Sequence, residues 1–199
     1  MKIATGDDAE LWQDAAAAKT VLRLVDDLVR PFPGLFLGLE DLGLDVREQR
    51  AGLPGASWFP REDELLVTHR PSDDSTERIS DLSFSLAHEL WHRRSVQSRF
   101  WATPNGSRWF HRMRSEAAAY FDTCQDDVRG GQHSKGYLQD CRPEHGMTTP
   151  LHRAAEELLA DRCGAAAEQW VYGAFFVDIE PRRLRGARAG LPALTWRRP

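Results

Sequence analysis

From Leu11 to Val29 the apolar residues recur at alternating intervals of four and three, at Leu11, Ala15, Ala18, Leu22, Val25 and Val29. An α-helix turns about 100° per residue, so this spacing draws one continuous stripe along it. The pattern predicts an amphipathic helix over residues 9–30, capped by Asp7 or Asp8 and stopped by Pro31. The Pro- and Gly-punctuated run PFPGLFLGLEDLG then reads as a connection. In LDVREQR, residues 44–50, apolar and polar positions alternate with the period of a half-buried strand. SWFPREDELLVTH, residues 57–69, predicts two short strands around a charged turn, the second being ELLVTH. RPSDDSTER reads as a loop.

The period then becomes helical. A helix over roughly residues 80–96, with Ser80 and Asp81 as caps, gathers Ile79, Leu82, Leu86 and Leu90 on one face. A turn at 101–107 leads to a helix at 108–124, and the polar, Gly-rich residues 125–148 read as a long loop or insertion. Thr149 and Pro150 suit the N-cap and first position of a strong helix that runs to about Gly173. Helix, short strands and then three helices is an α+β layout, expected as a single domain over residues 1–180. Residues 181–199 carry six arginines with Gly and Pro and no periodicity, and are expected to form a basic, flexible tail.

Composition narrows the setting. No apolar run approaches the roughly 20 residues that span a bilayer, so no membrane association is expected. MKIATGDDAELW lacks the basic-then-apolar layout of a secretion signal, and three cysteines cannot all pair. A reducing, cytoplasmic location follows as the expectation, with export that needs no cleaved signal left open. The net charge of −4 argues against nucleic acid as a partner.

Chemistry enters at LSFSLAHELWHRRS, residues 82–95. On a helix His88 and His92 project about 40° apart, away from the leucine face. The helix can dock through its leucines, so the histidines are not needed for packing. Zinc takes borderline ligands at about 2 Å in tetrahedral array, and two histidines at i and i+4 supply two of them from one rigid element. Glu89 lies about 100° round from His88, where its carboxylate can reach a water on the metal without binding the metal. This is the H-E-x-x-H pattern, two ligands and a general base.

A third ligand is available in TPLHRAAEELLADRCGAAAEQW. Glu157 and Asp161 share one helix face, and the small residues Ala154, Gly164 and Ala165 beside them let another helix approach closely. Leu151, Ala155, Leu158, Leu159, Ala166 and Trp170 form a separate apolar face. A carboxylate ligand leaves the fourth zinc position for water, and Asp161 can accept the second ring N–H of a ligating histidine.

HELWH followed by EELLADRCGAAA resembles the gluzincin metallopeptidases, whose third zinc ligand is a glutamate on a later helix. RISDLSFSLAHELWH after a short strand pair is also similar to the minimal zincins of the ImmA/IrrE type. The resemblance spans residues 44–170 in element order and the two motif helices in residues. It implies a zincin-like fold and a bound Zn2+ held by His88, His92 and Glu157, with Glu89 as general base and Asp161 behind a ligand. It also implies a peptide or protein substrate, laid as an added strand along the edge formed by ELLVTH. Glu116 in RSEAAAYFD is the alternative third ligand, at the shorter spacing of the ImmA/IrrE type.

The same residues also suit a zincin-like regulatory or binding module that keeps zinc with little proteolysis, although such a module has no use for Glu89. Cys124, His133, Cys141 and His145 lie in the polar insertion at a spacing that matches no common zinc finger, and read as loop residues. Any of His69, His111, His152, Tyr120, Tyr137 and Tyr172 is a possible donor to a tetrahedral oxyanion.

Overall fold

The computed structural model describes residues 16–29, 34, 42–48, 55–70, 75–124 and 134–176. The expected caps Asp7 and Asp8, the stop at Pro31 and the arginine-rich tail lie outside these residues. The described architecture is α+β, a three-stranded sheet with helices before and after it. The chain divides into two units, residues 1–93 with 162–199, and residues 94–161.

In the first unit, helix α1 (Ala16–Val29) packs on strand β1 (Gly43–Glu48). Its buried face is Val21, Leu24, Val25 and Leu28. That face is centred about one residue earlier than the expected stripe through Leu22 and Val29, and Leu22 is half-buried. The larger leucines at 24 and 28 outweigh the alanines on which the expected stripe leaned.

Strands β2 (Gly55–Phe59) and β3 (Glu64–His69) follow, close to where the alternation placed them. The sheet order is β1-β3-β2, with β1 parallel and β2 antiparallel to β3. ELLVTH is therefore the central strand, not an edge, and it buries Leu65, Val67 and His69 between two partners. The edge on the hairpin side is β2. Asp63 closes the hairpin in the left-handed region at φ 48°, where aspartate is among the better-tolerated residues.

Helix α2 (Thr76–Gln97) begins four residues before the expected start at 80. Ser75 is the residue at its entry, with Oγ accepting the Arg78 N–H at 3.4 Å. Ser80 and Asp81, expected as caps, lie inside the helix, and Ser80 is buried. Leu82, Leu86 and Leu90 are buried together with Ile79, Ala87 and Trp91. Gly164 sits where a β-carbon would meet the Phe84 ring of α2 at 2.8 Å, the close approach expected of the small residues around Glu157.

In the second unit, a 3₁₀ turn at Phe100–Ala102 leads into helix α3 (Pro104–Thr123). The expected turn at 101–107 is thus largely this turn and the first turn of α3. Thr103 caps α3, its Oγ1 accepting the Gly106 N–H at 3.0 Å, with Pro104 at the first helical position. The described part of the expected loop, residues 134–148, is not featureless. It holds the short helix α4 (Lys135–Gln139), capped by Ser134, a 3₁₀ turn at Pro143–His145, and a bridge between Arg142 and Met147. Helix α5 (Pro150–Phe176) starts where Thr149 and Pro150 predict, the Thr149 Oγ1 accepting the His152 N–H at 3.3 Å. Among the described residues no helix is long and apolar enough to cross a membrane.

Candidate metal centre

The leucine face anchors α2, which leaves His88 and His92 half-buried beside it. Their rings meet edge to face with centroids 4.8 Å apart, and the two Nε2 atoms lie 3.1 Å from one another. Phe84, one turn before His88, stacks on its ring at 6.0 Å and 28°. Two nitrogens at about 2.0–2.1 Å from a common tetrahedral centre lie roughly 3.3 Å apart, so the pair has the spacing of two ligands of one zinc ion.

Glu89 points elsewhere, as the helical turn requires. Its Oε2 accepts the backbone N–H of Trp58 in β2 at 3.0 Å. The Trp58 indole in turn donates through Nε1 to Asp63 Oδ1 at 3.0 Å. Arg93, directly after His92, grips the same carboxylate with Nε and Nη2, each at 2.7 Å. Arg93 is buried, and its forked, charge-assisted pairing fixes the end of the motif to the β2–β3 turn. The general-base candidate and the edge strand are therefore held by one connected network.

Glu157 is 0% exposed. A carboxylate so buried costs several kcal/mol unless donors or cations surround it, on the order of the penalty for any desolvated ion. Tyr137 of α4 donates its hydroxyl to Glu157 Oε1 at 3.0 Å. Arg153, one turn before Glu157 on α5, brings Nη2 to 3.6 Å from the same oxygen. The Arg153 guanidinium also lies over the Tyr137 ring at 4.7 Å, and its Nη1 reaches Met147 Sδ at 3.7 Å. Next to Glu157, the buried Glu156 takes a different part, accepting from Ser95 Oγ at 2.9 Å and from Trp101 Nε1 at 2.5 Å.

One ligand atom from each of His88, His92 and Glu157 lies within 4.8 Å of the others. Among the described residues no other group of three or more His, Cys, Asp or Glu side chains is so placed. Two imidazoles and one carboxylate are a donor set that zinc accepts, and three protein ligands leave a coordination position open. Glu116 is exposed on α3 and is not in this group. Asp161 is half-buried on α5.

The other expected participants are scattered. His69 is buried in β3, and His111 is exposed on α3. His152 stacks on Phe110 with centroids 3.7 Å apart, and burial holds its pKa below the ordinary histidine value. Cys124, Cys141 and Cys163 form no disulfide, and burial raises the pKa of Cys124. Tyr137, one of the tyrosines named from the sequence, is bonded to Glu157. The His133 and Tyr172 side chains lie outside the description.

Sequence reasoning passed over Arg153, Asp63 and Trp58. Arg153 had a readable signal, since it stands four residues before Glu157 with opposite charge. Trp58 and Asp63 had none, because their partners lie about thirty residues away along the chain. No family model, no curated protein and no solved structure matches this chain.

Proposed function

We propose that this protein is a zinc-dependent metallopeptidase with a zincin-like arrangement of sheet and motif helix. The observation that carries the reading is the gathering of one ligand atom each from His88, His92 and Glu157 within 4.8 Å. The chemistry supplied by zinc at such a ligand set is Lewis-acidic, toward a peptide carbonyl and toward a water.

The chain's own residues do the rest. Glu89 takes the proton of the attacking water and delivers it to the leaving amine. Its bond to the Trp58 N–H supports this role, because it sets the carboxylate beside the outer edge of β2. An extended peptide adds to that edge as a further antiparallel strand, its main chain bonding to outward groups of β2 other than the Trp58 N–H that Glu89 holds, and its side chains alternating. A scissile bond so aligned passes in front of Glu89. Phe59, 44% exposed at the end of β2, offers apolar surface to a substrate side chain. His88, His92 and Glu157 would hold the metal, and Asp161 would help to orient a ligating ring.

Digestion of an unbiased peptide mixture, read by mass spectrometry, tests the reading. The zinc-loaded protein is expected to cut internal bonds, to stop when a chelator is added, and to resume when zinc is restored. Cleavage that a chelator leaves undiminished would contradict the proposed chemistry.

A further inference from the structure

The surroundings of Glu157 contain more than a third ligand requires. A glutamate side chain has three rotatable bonds, and freezing them costs conformational entropy whenever the metal binds. Here that freezing is already accomplished. The Tyr137 hydroxyl donates to Oε1 at 3.0 Å, while Tyr137 itself is 37% exposed and Glu157 is 0% exposed. The phenol thus reaches inward from a surface position to a buried acceptor. Its ring is held flat by Arg153, whose guanidinium lies 4.7 Å from the ring centroid.

Arg153 explains why the phenol, rather than the arginine, makes the directional bond. The guanidinium is 2% exposed, yet its Nε and Nη2 make no hydrogen bond. Nη2 stands 3.6 Å from Oε1, close enough to balance charge and too far to direct a lone pair. Charge and direction are therefore divided between two side chains. Arg153 sets a positive charge beside the buried carboxylate, and the Tyr137 hydroxyl gives one of its oxygens a directional bond.

Resting on the metallopeptidase reading above, we infer that Tyr137 is a positioning residue for the Glu157 ligand: its hydroxyl holds that carboxylate in the metal-binding orientation before any metal arrives. Positioning partners of ligating groups typically change metal affinity by about 10–100-fold. Tyr137 is placed at this point by α4, whose cap is the Ser134 Oγ accepting the Tyr137 N–H at 3.1 Å.

The test uses the full chain, Tyr137→Phe, and two readouts besides activity. Zinc affinity is measured by competition with a chromophoric chelator, and coordination geometry by the visible absorption of the cobalt(II)-loaded protein. Tyr137→Phe keeps the ring on Arg153 and removes only the hydroxyl. It is expected to bind zinc about 10–100-fold more weakly and to shift the cobalt bands, because an untethered carboxylate ligates differently. A variant with the affinity and spectrum of the original protein would overturn the inference while leaving the metal site standing. Weaker binding with an unchanged cobalt spectrum would assign the effect to the fold and would overturn it as well. An original protein that binds neither metal would overturn the metallopeptidase reading together with this inference.

Discussion

Trp58 and Glu89 are joined backbone to side chain: the Trp58 N–H of the edge strand donates to Glu89 Oε2 at 3.0 Å. A glutamate inside a helix has thereby captured an outward-facing amide of a strand thirty-one residues earlier. The bond sets the distance between the motif helix and the strand on which a peptide would lie. It also separates Glu89 from its neighbours in role, since His88 and His92 turn toward each other and Glu89 toward β2.

Glu89→Gln keeps an oxygen that can accept the same N–H, so fold and metal content are expected to survive. The loss of the base is expected to slow peptide hydrolysis by about 10²–10⁴-fold. Zinc content and turnover measured on the same preparation check both halves. Loss of zinc in this variant would make Glu89 a ligand and require new roles for the whole motif.

Asp63 holds Arg93 and the Trp58 indole at once. Arg93 is 2% exposed, so removing Asp63 takes a paired carboxylate from a buried cation. Asp63→Ala is expected to cost about 3–5 kcal/mol, the usual range for breaking a buried pair. Asp63→Asn keeps the turn conformation and some of the bonding, and is expected to cost less, about 1.5–3 kcal/mol for lost charge-assisted bonds. Urea unfolding of the two variants measures the order. Equal stability of both variants and the original protein would show that this network does not anchor the motif helix.

Gly164 faces the Phe84 ring, with three ring carbons within 2.9 Å of where a β-carbon would stand. Replacing a helical glycine normally gains up to about 1 kcal/mol of helix propensity, and less for a β-branched residue. Overpacking against a held ring costs about 1–3 kcal/mol, so the clash wins. Gly164→Val is expected to be destabilised by about 1–3 kcal/mol in thermal or denaturant unfolding. A variant more stable than the original would mean that α2 and α5 can move apart at this point without penalty.

His152 gives the second unit a defined acid response. Burial against Phe110 and Trp101 lowers its pKa in the folded state. The unfolded chain then binds a proton at His152 more readily than the folded one. The histidine's contribution to stability is intact above its unfolded value of about 6.5 and is lost as the pH falls through its lower folded value. His152→Gln is expected to flatten the decline in stability just below about pH 6.5, read from unfolding midpoints across pH. An unchanged profile would remove His152 as the group responsible.

The sequence was most informative where periodicity and chemistry coincide. The leucines of α2 were legible because they repeat every three to four residues, and the face they bury leaves His88 and His92 beside it. Thr149-Pro150 was legible because capping is local, an affair of adjacent residues. The start of α2 was misread because Ser75, Ser80 and Asp81 are all chemically able to cap, and spacing alone does not rank them. The central place of ELLVTH was hidden for another reason. Alternation tells which face of a strand is buried, but not how many neighbours it has, and β1 pairs with it although β2 lies between the two in sequence. The part of Tyr137 was hidden because the polar composition of 125–148 suggested a loop, whereas α4 inside it carries a phenol to Glu157.

Zinc stoichiometry and affinity, measured by native mass spectrometry and chelator competition, bear most directly on the central claim. One zinc ion per chain is expected after zinc-supplemented expression. Glu157→Ala is expected to weaken binding by orders of magnitude, whereas Asp161→Ala should weaken it by about 10–100-fold. Glu116→Ala, at an exposed position of α3, should leave it nearly unchanged. A protein that binds no zinc, or one in which Glu116→Ala loses the metal and Glu157→Ala keeps it, would contradict the ligand set proposed for this site.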